Sequence, residues 1–315
     1  MKISGRTDLG NYIQHTPVLL NESVDYLVTD PDGIYIDTTL GGGGHSIEIL
    51  SRLSDKGHLF GLDQDAEAHR AAAENIGEDS RFTPVSGNFG YLKTLIKPDL
   101  HGKITGILYD LGVSTHQIKE ADRGFSFQKD GPLDMRMSEL TGVSAHQVVN
   151  EYSYEKLRDI IFHYGEERFS REIAQEIISR RPIETTGELR DAVSAVVFGK
   201  HTVKSIARVF QGIRIEVNRE LDVLKDSLEQ AIDILATNGR IVAISYHSLE
   251  DRIVKNYFKS GNESGTIEKD FYGNPLNPLK PLTKNIITPG EDEIKTNPAS
   301  RSAKLRVAEK IGERE

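Results

Sequence analysis

Four consecutive glycines, Gly41 to Gly44, with His45 directly after them, and two acids further on, Asp63 and Asp110, are the residues whose types and spacing offer chemistry. Glycines in a row let the backbone take positive φ and let a ligand approach the main chain closely. Asp63 follows the glycines at about the 20-residue interval at which an acid accepts hydrogen bonds from both hydroxyls of a bound ribose. The pattern is not that of a dinucleotide site. A G-x-G-x-x-G count from Gly41 ends on Ser46, and one from Gly42 ends on Ile47. No lysine follows, so it is not a phosphate-binding P-loop either. A ribose-bearing ligand without a pyrophosphate grip points to S-adenosylmethionine over NAD. The plainer alternative for Asp63 is a helix N-cap or a solvated strand end.

Asp110 opens Asp110-Leu111-Gly112-Val113-Ser114-Thr115-His116-Gln117. An acid at that point suits transfer to an amine. An exocyclic amine of a base is a weak nucleophile, because its lone pair is delocalised into the ring. An acceptor for its N–H, together with alignment on an electrophilic methyl group, makes the attack feasible. A contact to the cofactor, or a loop cap, is the alternative role. Tyr246 and His247, in Ser245-Tyr246-His247-Ser248, are further candidates: Tyr246 to stack on a target base, His247 to take a proton. Simple packing is their other reading. Phe89 would pack on an adenine ring or serve the core.

These residues need a sheet to carry them. Ile34-Tyr35-Ile36-Asp37 reads as a strand, the glycines as a turn, and Ile47, Ile49, Leu50 and Leu53 as one face of a helix. Strand, glycine turn and helix in that order form the first unit of a doubly wound α/β domain. His58 to Asp63 is the next strand, with an alanine-rich helix over 65–76. Phe82 to Phe89 is a third strand running into a loop, and Ile104 to Asp110 a fourth. A strong amphipathic helix through Leu221, Leu224, Leu228, Ala231, Ile232 and Leu235 is closed by Asn238-Gly239, ahead of a fifth strand, Arg240 to Ser245. The tail around 300–307 alternates like a strand and is expected at the sheet edge. Residues 259–298 read as a long loop region.

The stretch between Gln117 and that amphipathic helix is far longer than an ordinary connection. Its periodicity is helical, with Leu157, Ile160 and Ile161 on one face, Ile173, Ala174 and Ile177 on another, and Thr185 with Glu188 as a capping box. The expected organisation is therefore a discontinuous α/β domain, residues 1–117 and 218–315, with a helical insert over 118–217. Within the insert, Lys200, His201, Lys204 and Arg208 follow one another without an acid, a pattern suited to phosphate contact. Arg301, Lys304 and Arg306 repeat it near the end. A solvated face is the default reading of both.

Composition limits the alternatives. The 315 residues are 37% hydrophobic and 28% charged, ordinary for a water-soluble globular chain. With no cysteine, disulfides and thiolate metal sites are excluded, and no metal site is expected. No run is long and apolar enough to span a bilayer, and the first residues lack an apolar signal core, so a cytoplasmic location is expected. The net charge of −9 does not suggest a nucleic-acid binder, although local basic patches matter more than the total. An NAD-linked oxidoreductase and a non-catalytic RNA-binding scaffold are the rival functions. The missing third fingerprint glycine weighs against the first, and the intact glycine turn with Asp63 against the second.

Across most of its length the chain resembles the small-subunit ribosomal RNA cytosine-N4 methyltransferases, the RsmH (MraW) family. The matching stretches are HTPVLLNE at 15–22, DTTLGGGGHS at 37–46, GLDQD at 61–65, DLGVSTHQ at 110–117 and RGFSF at 123–127. They continue with GPLDMRM at 131–137, RVFQGIRIEVNREL at 208–221, SYHSLEDRIVK at 245–255 and NPASRSAKLR at 297–306. The resemblance implies a Rossmann-like class I methyltransferase fold with an inserted helical domain. It implies S-adenosyl-L-methionine as cofactor and N4-methylation of one cytidine near the ribosomal P site of 16S ribosomal RNA. The partner would be that RNA in an assembled or assembling small subunit, with no membrane and with room for a homodimer. It also implies that Gly43, Gly44, His45, Asp63, Phe89, Asp110 and Gln117 contact the cofactor. Two positions depart from the family pattern: His116 stands where proline is frequent, and Ala299 where arginine is.

Overall fold

The computed structural model describes residues 17–113, 117–118, 120–138 and 142–312. The chain divides into two compact units, one built from the residues up to Gly112 and from Leu221 onward, the other from Val113–Glu220. The helical unit thus begins five residues before the expected 118 and ends three after 217.

The first unit is a seven-stranded sheet in the order β3-β2-β1-β4-β5-β7-β6. Its strands are β1 (Ile34–Asp37), β2 (His58–Asp63), β3 (Phe82–Ser86), β4 (Ile104–Asp110), β5 (Leu235–Ser245), β6 (Leu279–Pro281) and β7 (Lys304–Lys310). The first five are mutually parallel, while β7 runs antiparallel between β5 and β6. The helices are α1 (Leu20–Leu27), α2 (Gly44–Arg52), α3 (Ala66–Ile76), α4 (Leu92–Leu95), α10 (Glu220–Ile234), α11 (Ser248–Ser260) and α12 (Glu291–Thr296), the labels α5 to α9 belonging to the second unit.

Alternation along the strands explains why both sheet faces are covered. On β4, Ile107 and Tyr109 join one apolar cluster with Leu224, Leu228 and Ala231 of α10, while Leu108 joins the other with Val24 and Leu27 of α1 and Ile49 of α2. On β5, Ile241 and Ala243 belong to the first cluster, Val242 and Ile244 to the second. A parallel sheet buried on both faces needs apolar residues of both parities.

Two sequence expectations are corrected here. The tail strand β7 is not at the edge: six residues of it pair with Arg240–Ser245 of β5. The edge belongs to β6, drawn from the long loop region. It is three residues long and carries Pro281, features that discourage pairing with further chains. The helix before β5 also ends earlier than expected, at Ile234. Asn238 takes φ 63° inside the irregular start of β5, a left-handed conformation that Asn tolerates.

The second unit packs α5 (Ala145–Glu151), α6 (Tyr154–His163), α7 (Ser170–Ser179), α8 (Thr186–Val196) and α9 (Thr202–Asn218) around one core. Leu157, Ile160, Ile161, Ile173, Ile177, Leu189, Val193, Val209, Phe210 and Ile213 fill it. The capping box at Thr185 and Glu188 is present, each residue's side chain accepting from the other's backbone N–H at 3.2 Å. Where α6 ends and α9 passes, the backbones nearly touch. A Cβ on Gly165 would lie 2.6 Å from the carbonyl oxygens of Arg208 and Ile161, so only glycine fits.

Candidate active site

The strand order reverses between β1 and β4, and in open α/β sheets ligands bind at the carboxyl ends of the strands at such a switch point. Three strands end there in an acid: Asp37 on β1, Asp63 on β2 and Asp110 on β4.

The glycine turn is shaped as its sequence demands. Gly41 and Gly43 have φ of 48° and 82°. Gly43 is the N-cap of α2 and supplies no side-chain cap, so the first backbone N–H groups of that nine-residue helix are available to an anion. Gly44 leaves no space for a side chain, since a Cβ would meet Pro17 Cγ at 2.4 Å. The Asp63 carboxylate fastens the turn to the next strand. Its Oδ2 accepts from the Gly41 N–H at 3.0 Å and its Oδ1 from the Asp65 N–H at 2.9 Å. Burial raises the Asp63 carboxyl, and those two backbone donors oppose the rise. Each oxygen keeps a lone pair for a ligand hydroxyl.

Asp110 is the hub of a second network. Its Oδ1 accepts from the Tyr246 hydroxyl at 2.8 Å, and its Oδ2 lies 3.7 Å from His45 Nδ1. Its backbone N–H donates to Thr39 Oγ1 at 2.8 Å. The other ring nitrogen of His45, Nε2, lies 3.2 Å from the Val18 carbonyl, which can only accept, so Nε2 carries a proton. His45 Nδ1 then faces Asp110 Oδ2 across 3.7 Å, an electrostatic contact longer than a hydrogen bond. Burial raises the Asp110 carboxyl; His45 and the Tyr246 hydroxyl pull it back. The side chain remains 24% exposed, so a ligand can reach it.

Sequence reasoning missed Asp37, Thr39 and Ser46. Asp37 is buried, accepts from Ser46 Oγ at 2.7 Å and from the Thr39 N–H at 3.1 Å, and burial raises its carboxyl. It thereby ties the start of α2 to the residue that receives the Asp110 N–H. The available signal was positional: Asp37 ends its strand as Asp63 and Asp110 end theirs.

Several other candidates acquire different roles. Tyr246 is half-buried, with its ring beside Gly112, where an added Cβ would sit 3.3 Å from it, and its hydroxyl donates to Asp110. Burial and the Asp110 charge push that hydroxyl well up, so it stays a donor. His247 is the N-cap of α11: its Nδ1 accepts from the Glu250 N–H at 3.4 Å, and Glu250 Oε2 receives the His247 N–H at 3.3 Å in return. His247 Nε2 is buried without a hydrogen bond, 3.0 Å from Glu250 Oε1.

Phe89 follows β3 half-buried, its ring edge-on to Tyr109 at 5.9 Å. Gln117 is buried and belongs to the helical unit, while Ser114, Thr115 and His116 lie outside the described residues. Arg306, expected at RNA, is bound to Asp251 through two hydrogen bonds of 2.7 and 3.2 Å, with Lys304 3.6 Å from the same carboxylate. These two bases pin β7 to α11. Arg301 stays exposed, as does Ala299 beside it. In the helical unit Arg208 reaches the buried Glu167 at 3.5 Å, while Lys200 and Lys204 are exposed and make no ion pair among the described residues.

A Rossmann-like sheet with its last strand antiparallel, a glycine turn feeding α2 and an acid on each of three neighbouring strand ends define a class I S-adenosylmethionine-dependent methyltransferase. The family model of the MraW methylase family matches residues 12–311, and the chain belongs to that family. It is 49% identical over 299 residues to a Bacteroides fragilis (strain YCH46) protein named ribosomal RNA small subunit methyltransferase H, covering 94% of this chain and 97% of the relative. A Flavobacterium johnsoniae protein of the same name is 48% identical over 302 residues, covering 94% and 98%. A third, from Azobacteroides pseudotrichonymphae, is 47% identical over 309 residues, covering 96% and 100%. No helix among the described residues is long and apolar enough to cross a membrane.

Proposed function

We propose that this chain methylates small-subunit (16S) ribosomal RNA, at the exocyclic N4 of one cytidine near the P site, by direct transfer. The observation that carries the reading is the Asp110 carboxylate, held by Tyr246 and His45 at the switch point and still partly open. The relatives' names supply the substrate class.

The residues fit the methyl donor. The uncapped start of α2 and the turn Gly41 to His45 suit its carboxylate, and the spare lone pairs of Asp63 suit its ribose hydroxyls. Phe89 would flank the adenine. When bound, S-adenosylmethionine supplies a methyl group on a sulfonium, which needs no further activation as an electrophile.

The chain's own work is at the amine. Asp110 accepts the N4–H of the cytosine, raising electron density on nitrogen and aligning its lone pair. Once methylated by that donor, N4 would have a proton to lose. Asp110, poised by its burial to hold a proton, is the acceptor in reach, and Tyr246 keeps its carboxylate oriented. A C5 methylation would need a nucleophile to attack the ring, commonly a thiolate, and the chain has no cysteine. Lys200, Lys204 and Arg301 are the exposed bases offered to RNA phosphates, while Arg208 combines that role with its Glu167 contact.

Mass analysis of digested ribosomal RNA from cells with and without the protein tests the reading. 4-Methylcytidine dependent on the protein is expected, and 5-methylcytidine in its place would overturn the mechanism.

A further inference from the structure

Phe198 is 76% exposed and Val203 66% exposed, both unusual for large apolar side chains in a folded unit. They flank the passage from α8 to α9. The backbone there is tightly held. Val197 is 3% exposed, its N–H donates to the Val193 carbonyl at 3.1 Å, and its own carbonyl accepts from Thr202 Oγ1 at 2.7 Å. Gly199, at φ 73°, then turns the chain into a short 3-10 turn, Gly199–His201, that runs into α9. A Cβ at Gly199 would meet nothing within 4 Å, so this side of the loop is open. The phenyl ring is thus presented outward by an anchored loop.

The charges along this stretch of chain are one-sided. Lys200, His201 and Lys204 are exposed, and no Asp or Glu occurs in the sequence from Ala192 to Ile215. This happens in a chain whose net charge is −9. An exposed aromatic pair elsewhere, Phe271 and Tyr272, lacks that setting, because Glu268 and Asp270 precede it.

Resting on the RNA methyltransferase reading, we infer that Phe198 is a stacking platform for an unpaired base of the RNA substrate, with Lys200 and Lys204 on the flanking phosphates. Every base offers a π-face to an aromatic ring, and a basic track beside the ring is how proteins grip single strands. A duplex hides its base faces, so the site discriminates for unpaired nucleotides. A phenylalanine next to lysines would also suit an anionic bilayer, which the test must separate.

The experiment uses the full chain and a hexa-adenylate carrying one 2-aminopurine. Phe198→Ala is expected to lower affinity at least about 5-fold and to abolish the stacking-dependent fluorescence change. Phe198→Trp should restore both, and Phe198→Leu should not. The salt dependence should stay as in the parent, since both lysines remain. Affinity unchanged in Phe198→Ala, or full rescue by leucine, overturns the inference, as does parent protein that binds phosphatidylglycerol vesicles through Phe198 and ignores the oligonucleotide. Methylation of unmodified small subunits by the parent protein is measured alongside. Its absence would bring down the functional reading itself, whereas its presence with an indifferent Phe198→Ala removes the platform alone.

Discussion

The acids at the carboxyl ends of β1, β2 and β4 and the bases that open α9 are both charged sets, yet they are held in opposite ways. Asp37 is buried, Asp63 and Asp110 are half-buried, and their oxygens are engaged by backbone N–H groups, by Ser46 or by Tyr246. Lys200 and Lys204 stand in solvent without an ion pair among the described residues. An engaged group acts through position, so one substitution should remove most of what it does. A solvated base acts by adding to a field, so single losses should be modest and sensitive to salt. Arg306 tests the distinction: by sequence it belongs with the solvated bases, but by geometry with the engaged acids.

The largest expected effect is at Asp110. Asp110→Asn keeps the shape, removes the charge and should lower kcat by about 100- to 10,000-fold, with a smaller change in cofactor affinity. Single-turnover kinetics and calorimetry separate the two, and equal losses in both would assign Asp110 to the cofactor alone. The pH profile sharpens this. Burial raises the Asp110 carboxyl, so it remains protonated to a higher pH than an exposed acid. The ionised form is the acceptor, so activity should fall as pH drops through that raised value. The acid limb should lie above the ordinary carboxylate region near about 4 and should vanish in Asp110→Asn.

Next comes Asp63→Ala, which should weaken S-adenosylmethionine by about 1.5–3 kcal/mol for each charge-assisted hydrogen bond lost. Calorimetry on a variant with parental far-ultraviolet dichroism measures it, and unchanged affinity would show that the acid only fastens the glycine turn. Arg306→Gln should cost about 1–3 kcal/mol of unfolding free energy while leaving RNA affinity alone. Denaturant titration that shows no loss, together with weakened RNA binding, would return Arg306 to the solvated set. The smallest effects belong to Lys200→Gln and Lys204→Gln. Each should reduce the log–log salt slope of RNA binding by roughly 0.7–0.9 without touching the cofactor. Parental slopes would make this run a merely solvated face.

Much of this was legible in the chain itself, because local rules decide it. The glycine turn was readable because positive φ and close approach exclude other residues, as Gly43 and Gly44 show. Asp63 and Asp110 were readable as strand-end acids because β-strands carry apolar residues of both parities and then stop. The Thr185–Glu188 capping box depends only on residues three apart. The helical insert was visible in its periodicity and in the length of the interruption.

Tertiary structure alone decided which charges are available. Nothing local distinguishes Arg306 from Lys204. The difference is that Asp251, 55 positions away in sequence, arrives beside Arg306 when α11 packs on β7. The same holds for Tyr246 and His247, adjacent in sequence. One hydroxyl meets Asp110 across 136 positions, while the other side chain turns back to cap its own helix. The place of β7 inside the sheet was decided likewise, by a three-residue strand too short to read from its own residues. Sequence determines what a residue is able to do and which element carries it. Long-range packing determines what it faces, because the partner that enables or silences a side chain is contributed by a distant part of the chain.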